Sequence, residues 1–393
     1  MAEAVRRRRV VKRPRLLVVG HAHPRLSQGG AEIAAYEQFR RARDGGTTEA
    51  WLLTANGAAP GTKPGFGQPF GPQEYLYTGA AFDGFRLSNP DPAFEREFGD
   101  LLRRLKPDTV HFHHYLGVGI EALLCVRHHA PQARIVLTLH EYLLICHHYG
   151  QMVTKPTLDL CYGASPQKCH RCFPDHPPQA FLLRELWLKR FLREVDEFVS
   201  PSEFLRGRYV EWGLPPDKIS VQPNMLPRHP PAAPSRHAAG QPLRAAFFGQ
   251  LSPLKGIDVL IRAARKIERG GHPITFRIYG SAASQPQSFK DRVERALSDL
   301  PANTTFKGAY RNEDVVRLMA ENHVVVVPSL WWENAPLVID EAQAAGCIVL
   351  GSDLGGIGEK LRTSPTGRTF GYNDADDLAD ELIAIQRLDQ NDL

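Results

Sequence analysis

Downstream of residue 243, five short apolar runs rich in β-branched and aromatic residues, at 244–249, 274–280, 304–306, 323–327 and 347–351, alternate with stretches long enough for helices. A half-buried strand alternates apolar and polar side chains. Val324-Val325-Val326-Val327 does not, and a strand that is apolar on both sides needs cover on both faces. Such strands alternating with helical segments predict a parallel sheet between two helical layers. The same alternation occupies the N-terminal half, with strands expected near Leu16 and at 49–54, 109–112, 135–138 and 198–201. Between Gln222 and Pro242 the prolines 223, 227, 230, 231, 234 and 242, with several alanines, leave little to build a core, so a linker falls there. The expected organisation is a basic tail at 1–15, an α/β domain at 16–225 with a Cys-rich insertion at 146–176, a linker at 226–242 and a second α/β domain at 243–393. Ligands of such sheets bind beyond the C-terminal ends of the strands.

One strand end is rich in suitable chemistry: Pro328-Ser329-Leu330-Trp331-Trp332-Glu333-Asn334-Ala335-Pro336-Leu337-Val338-Ile339-Asp340-Glu341-Ala342. Pro336 suits the first turn of a helix, where a missing N–H costs nothing and φ is already helical. Glu333 then lies in the loop ahead of the helix, and Glu341 about a turn and a half inside it. The backbone of Asn334, Ala335, Pro336 and Leu337 runs between them. Unpaired N–H groups and the positive end of the helix dipole attract an anion, while carboxylates on either side accept hydrogen bonds from hydroxyls. A phosphorylated, polyhydroxylated ligand meets both demands. In the loop after the run at 244–249, Gly249, Gln250 and the Lys255-Gly256 pair can bring an ammonium to a diphosphate. Gln250 can add hydrogen bonds there but no charge.

The string resembles the signature of the retaining family-4 glycosyltransferases of the GT-B fold. Other segments similar to that family's occur in order: Leu16-Leu17-Val18-Val19-Gly20, Gln28-Gly29-Gly30-Ala31-Glu32, Leu137-Thr138-Leu139-His140-Glu141-Tyr142, Val199-Ser200-Pro201-Ser202 and Phe247-Phe248-Gly249-Gln250. The likeness runs from about Leu16 to Arg387. It implies two Rossmann-like domains facing a central cleft, and transfer of a sugar from a nucleoside diphosphate donor to a glycan or lipid-linked acceptor in cell-surface polysaccharide assembly. Retention, a front-face route and no divalent metal are implied as well. By the same resemblance Glu341 accepts from the ribose hydroxyls, Glu333 and the backbone from Asn334 to Leu337 hold the sugar, and Lys255 binds phosphate, with Gln250 where relatives commonly have arginine. Gly29 and Gly30 admit the diphosphate, and the Gly280 turn and 306–310 border the base. His140 matches a histidine facing the diphosphate and the reacting hydroxyl, a side chain suited to orienting a proton or a phosphate oxygen near neutral pH. His111, His113 and His114 are weaker candidates for the acceptor side. Glu333, at the reacting centre with His140, positions rather than attacks. Relatives usually continue past the helix at 375–387, so less constrained domain closure is expected. The alternative is a non-catalytic sugar-nucleotide-binding scaffold, suggested by Gln250 and the short C-terminus.

At 393 residues, 42% hydrophobic and 23% charged, the chain can bury two cores of ordinary size. No apolar run approaches the roughly 18 residues that cross a bilayer. Residues 16–19 are too short an apolar stretch for a secretory signal. A cytoplasmic location is expected. Residues 1–15 carry Arg6, Arg7, Arg8, Arg9, Lys12, Arg13 and Arg15 against Glu3, a net +6, so the remainder of a chain at +5 carries −1. Such a tail is either a solvated extension or a contact to anionic lipid on the inner membrane face. Nucleic acid is not an expected partner, because the body has no basic stripe with interleaved aromatics. Four of the six cysteines, Cys146, Cys161, Cys169 and Cys172, fall in the insertion. Cys169-His170-Arg171-Cys172 has a spacing that lets two thiolates share a metal, so a structural tetrathiolate zinc site, reduced thiols and disulfides all stay open. Cys125 and Cys347 read as core.

Overall fold

The computed structural model describes residues 13–388 except 28, 58–63, 80–81, 226–232, 234, 236 and 284. The basic tail up to residue 12 and most of the expected linker lie outside the described residues. The described residues fall into two compact units, one within Met1–His140, Pro177–Val199 and Asp217–Ser220, the other within Glu141–His176, Ser200–Pro216 and Val221–Leu393.

In the first unit, β1 (Arg15–Gly20), β2 (Glu49–Gly57), β3 (Gly65–Gly71), β4 (Glu74–Gly79), β5 (Thr109–Phe112), β6 (Arg134–Thr138), β7 (Glu197–Ser200) and β8 (Ile219–Val221) form one sheet in the order β3-β4-β2-β1-β5-β6-β7-β8. β1 pairs in parallel with β2 and β5, and its Leu17, Val18 and Val19 are fully buried. β3 is antiparallel to β4 and was not expected from the sequence. Its Gly-Phe-Gly-Gln-Pro-Phe-Gly composition carries no strand signature, and a strand containing proline is tolerated only where one side needs no ladder, as at this edge.

The second unit holds β9 (Leu243–Phe248), β10 (Ile274–Tyr279), β11 (Thr304–Gly308), β12 (Val324–Val327), β13 (Ile348–Ser352) and β14 (Gly367–Phe370), in the order β11-β10-β9-β12-β13-β14. Every described pairing is parallel. All four valines of β12 are buried, as an unbroken apolar strand requires. One face packs Leu260, Ala264 and Ile267 with Leu378, Leu382 and Ile385, and the other packs Met319, Ile339, Ala342 and Ile357. Residues 146–176, expected as an insertion of the N-terminal domain, fall in the segment Glu141–His176 that groups with this unit. Local bonds explain it. The Trp332 indole donates to the Cys161 carbonyl at 3.1 Å, Arg208 Nη1 to the Tyr162 carbonyl at 3.1 Å, and the Tyr209 hydroxyl to the Glu141 carbonyl at 2.7 Å.

β9 and β12 are neighbours, so the loops after them leave the sheet side by side, joined where Leu330 N–H donates to the Leu254 carbonyl at 2.8 Å. Gly256 closes that approach, with φ of +69° and no room for a Cβ against the Pro328 carbonyl. Among the described residues no helix is long and apolar enough to cross a membrane.

Candidate active site

In the second unit, the loops after β9 and β12 converge on one carboxylate. Glu333, 6% exposed, receives three hydrogen bonds on Oε1: from Lys255 Nζ at 2.5 Å, Trp331 Nε1 at 2.8 Å and Ser329 Oγ at 2.9 Å. Three donors, one of them charged, hold a buried anion that would otherwise be costly. Oε2 takes no hydrogen bond among the described residues, so it can accept from a ligand hydroxyl. The Glu333 carbonyl accepts the Gly356 N–H at 2.9 Å. At Gly356 a Cβ would overlap the Asn334 carbonyl, so the glycine lets the helix Gly355–Arg362 close on the motif. The two tryptophans part ways. Trp331 serves Glu333, while Trp332, stacked 5.2 Å from Phe204 and under Arg208 at 5.0 Å, is a buried tie to the Cys-rich segment.

The helix after the motif is Leu337–Ala344, with Pro336 as the extended residue before it (ψ 124°) rather than in its first turn. Glu341 lies inside this helix as expected, and it is buried. Burial, with Asp340 beside it, pushes the Glu341 carboxyl up to about 7. Tyr310 is itself pushed up by burial and by Glu341, and it meets the stacked pair Phe248 and Tyr279 (4.5 Å) edge-on at 5.5 and 6.5 Å. An aromatic floor therefore lies beside Glu341, formed by the ends of β9 and β10 and the segment after β11. Gly280 is spent on backbone packing, since a Cβ there would overlap the Gly249 carbonyl. Gln250 is exposed and lines a cavity of about 580 Å³ with Lys255.

In the first unit, five side chains form a hydrogen-bonded run ending at His140. His111 Nε2 meets Thr138 Oγ1 at 2.7 Å, His111 Nδ1 meets Gln38 Nε2 at 2.8 Å, Gln38 Oε1 meets His113 Nε2 at 2.8 Å, and His113 Nδ1 meets His140 Nε2 at 2.9 Å. The amide of Gln38 sets the tautomers. It donates to His111 and accepts from His113, so His113 carries its proton on Nε2 and accepts the Nε2–H of His140. His140 Nδ1 is then a lone pair. Burial, with His111 and His21 close by, lowers His140 to about 3, and burial lowers His111 to about 4 and His113 well below its usual value. His140 was expected to orient a proton or a phosphate oxygen near neutral pH; burial makes it a neutral imidazole there, donating Nε2–H to His113.

Gly29 precedes the helix Gly30–Asp44 as its N-cap. The space a Cβ would need lies 2.6 Å from Glu32 Oε2. Burial raises the Glu32 carboxyl, but hydrogen bonds from His21 (3.2 Å) and Ser27 (3.1 Å) outweigh it and hold Glu32 below the usual carboxylate range. A carboxylate thus already lies at this helix N-terminus, where a diphosphate was expected to approach.

Cys146, Cys161, Cys169 and Cys172 are free thiols, and among the described residues no three His, Cys, Asp or Glu side chains are arranged to hold a metal. Among the described residues the four thiols are not gathered into the tetrathiolate that the sequence left open. Burial, with Cys161 and Cys169 nearby, pushes the Cys146 thiol up to about 12, as befits a protonated structural cysteine. Cys125 and Cys347 are buried in their cores.

The sequence missed Gln38, Ser329, Gly356 and the Phe248–Tyr279 pair. Leu354-Gly355-Gly356 was legible as a glycine turn after a strand, but Gln38 carries no local signal.

The sequence profile described as "Glycosyltransferase Family 4" matches residues 28–227, and that of "Glycosyl transferases group 1" matches 242–387. Among curated proteins the chain is 32% identical over 215 residues to D-inositol 3-phosphate glycosyltransferase of Nocardia farcinica, covering 51% of this chain and 47% of that protein. It is 26% identical over 211 residues to the putative colanic acid biosynthesis glycosyltransferase WcaL of Salmonella typhimurium, covering 52% and 51%. The matched region spans about half the length of these relatives. Among solved structures it is similar to Anabaena HepE in complex with UDP-glucose (TM-score 0.61, 16% identity, 94% of this chain and 89% of that one). It is also similar to sucrose-phosphate synthase of Thermosynechococcus elongatus (TM-score 0.66, 16% identity, 95% and 90%). These likenesses carry the fold.

Proposed function

The chain belongs to the family-4, group 1 glycosyltransferases, and from that premise we propose that it transfers a sugar, with retention, from a nucleoside diphosphate donor to a hydroxyl of a glycan or lipid-linked acceptor. The observation that carries this reading is the divided use of Glu333, whose Oε1 is saturated by Lys255, Trp331 and Ser329 while Oε2 stays available to a sugar hydroxyl. A carboxylate so held positions a sugar better than it attacks one. Lys255 is assigned to the diphosphate, Glu341 to the ribose hydroxyls and His140 to the side of the diphosphate and reacting hydroxyl. In the proposed reaction the bond from the anomeric carbon to the phosphate oxygen breaks, the bond to the acceptor oxygen forms on the same face, and the acceptor proton passes to the departing phosphate. Cationic and backbone donors stabilise the leaving charge, and no divalent metal is required.

Turnover of UDP-, GDP- and ADP-sugars, with and without chelator, tests this. We expect one donor to be consumed irrespective of chelation, and His140→Ala to lower kcat by about 100-fold with donor affinity within twofold, the size of a lost transition-state hydrogen bond. Binding without turnover across a broad acceptor set would favour the scaffold alternative.

A membrane setting is supported by the helix Pro178–Leu192, where Leu182, Leu183 and Leu186 are 49%, 64% and 58% exposed along one stripe that ends in Arg190 and Arg193. Apolar side chains beside cations suit an anionic lipid surface. Leu183→Ser with Leu186→Ser is expected to lower partition onto phosphatidylglycerol-containing vesicles by about tenfold. Equal co-sedimentation of both proteins would remove this part of the reading.

A further inference from the structure

We propose that Arg292, on the helix Gln287–Ser298, supplies the cation that meets the phosphate of a nucleoside diphosphate in the cavity beside Lys255. This rests on the donor reading above and adds to it a residue that none of the motifs contains.

The cavity, about 580 Å³, lies within the second unit and has the size of a small-ligand site. Gln250, Ser252 and Lys255 come to it from the loop after β9, and Ser288 and Arg292 from the helix after β10. No carboxylate is among the described residues that line it. Amides, hydroxyls and two permanent cations without an acid form a lining that favours an anion.

The two cations are not equivalent. Lys255 already shares its charge with Glu333 at 2.5 Å. Gln250, on the same loop, brings no charge. Arg292 makes no ion pair among the described residues, and its guanidinium rests 4.9 Å from the ring of Phe289, one turn earlier on the same helix. Phe289 is itself buried, which fixes the base of that contact. A guanidinium laid against an aromatic ring is restrained in direction while its N–H fork stays free to pair with two oxygens. Two phosphates bring more charge than the Lys255–Glu333 pair can balance. Among the described residues, Arg292 is the remaining permanent cation on that cavity wall.

Phosphate could also arrive on a sugar phosphate acceptor, so the experiment carries both probes. Calorimetric titration of the full chain with UDP, GDP and ADP first identifies the tightest nucleotide. Arg292→Gln is then titrated with that nucleotide, with its nucleoside and with glucose 6-phosphate. We expect the nucleotide Kd to rise about 30-fold, as for loss of a charge-assisted pair, and nucleoside binding to change less than twofold. Adding Gln250→Arg to Arg292→Gln should restore most of the loss, because a cation returns to the same wall. Arg292 is exposed, so the thermal midpoint should not move. Nucleotide affinity unchanged in Arg292→Gln, with the native chain binding well, overturns the assignment and leaves the donor reading intact. A loss confined to glucose 6-phosphate overturns it in favour of an acceptor contact. Failure of the native chain to bind any of the three nucleotides would instead sink the donor reading on which it rests.

Discussion

Glu341→Ala is expected to weaken donor binding by about 100-fold, since two hydrogen bonds from ribose hydroxyls to a carboxylate are each worth about 1.5–3 kcal/mol when one partner is charged, less what the buried acid costs. The pH dependence carries a second, sharper expectation. The Glu341 carboxyl sits at about 7 in the folded chain against an ordinary 4.5, because burial and then Asp340 disfavour its charge. A ligand diol favours the ionised form, which accepts from both hydroxyls, so donor affinity should increase as pH rises from 6 to 8 and level off above. Stability runs the other way. A folded value above the unfolded one means that the folded chain holds the proton more tightly, so the contribution is fully present below about 4.5, declines between there and about 7, and is gone above. The span corresponds to at most about 3 kcal/mol, reduced by any hydrogen bond that the charged form keeps. Donor titrations from pH 5.5 to 8.5 and thermal unfolding over the same range, on the native chain and Glu341→Gln, measure both. A Gln variant that retains the pH profile of donor affinity would show that another group titrates.

Gly256→Ala should be the most damaging single methyl in the second unit. Two separate terms act there. A φ of +69° costs a residue with a Cβ about 1–2 kcal/mol, and the added carbon would overlap the Pro328 carbonyl, which belongs to the backbone leaving β12 and cannot rotate away. The loop after β9 must then move, taking Lys255 from Glu333. We expect a loss of about 3 kcal/mol or more in denaturant unfolding, with donor affinity lowered at least 100-fold. Gly271→Ala is the matched control, with φ of +68° and nothing within 4 Å of its Cβ; only the conformational term of about 1 kcal/mol should appear. Equal losses in the two variants would mean that the Pro328 contact contributes nothing.

Both expectations depend on contacts between segments far apart in sequence, and this marks how much the chain disclosed by itself. The parallel sheets were legible because burial on both faces leaves an unbroken apolar signature, as in Val324 to Val327, and the turn to the helix after β12 was legible from Pro336. The edge strand β3 was not, because its glycines and proline carry no strand preference and only pairing with β4 makes it one. Glu333 and Glu341 could be chosen from their place at a strand end. What differs between them could not, since Glu333 gains Lys255 from 78 residues away, while burial and the neighbouring Asp340 raise the Glu341 carboxyl. The same holds for His140, whose proton affinity falls through burial and the ring cluster around it.

Sequence alone determined the class of fold, the strand ends where chemistry gathers and the residue types available there, because these follow from local periodicity and turn chemistry. Tertiary structure alone decided which nitrogen of His140 carries the proton, which oxygen of Glu333 is spent, that the Cys-rich segment belongs with the second unit, and that Arg292 lines the same cavity as Lys255. Desolvation, hydrogen-bond geometry and the sharing of charge are properties of neighbours in space, and no local pattern in the chain encodes them.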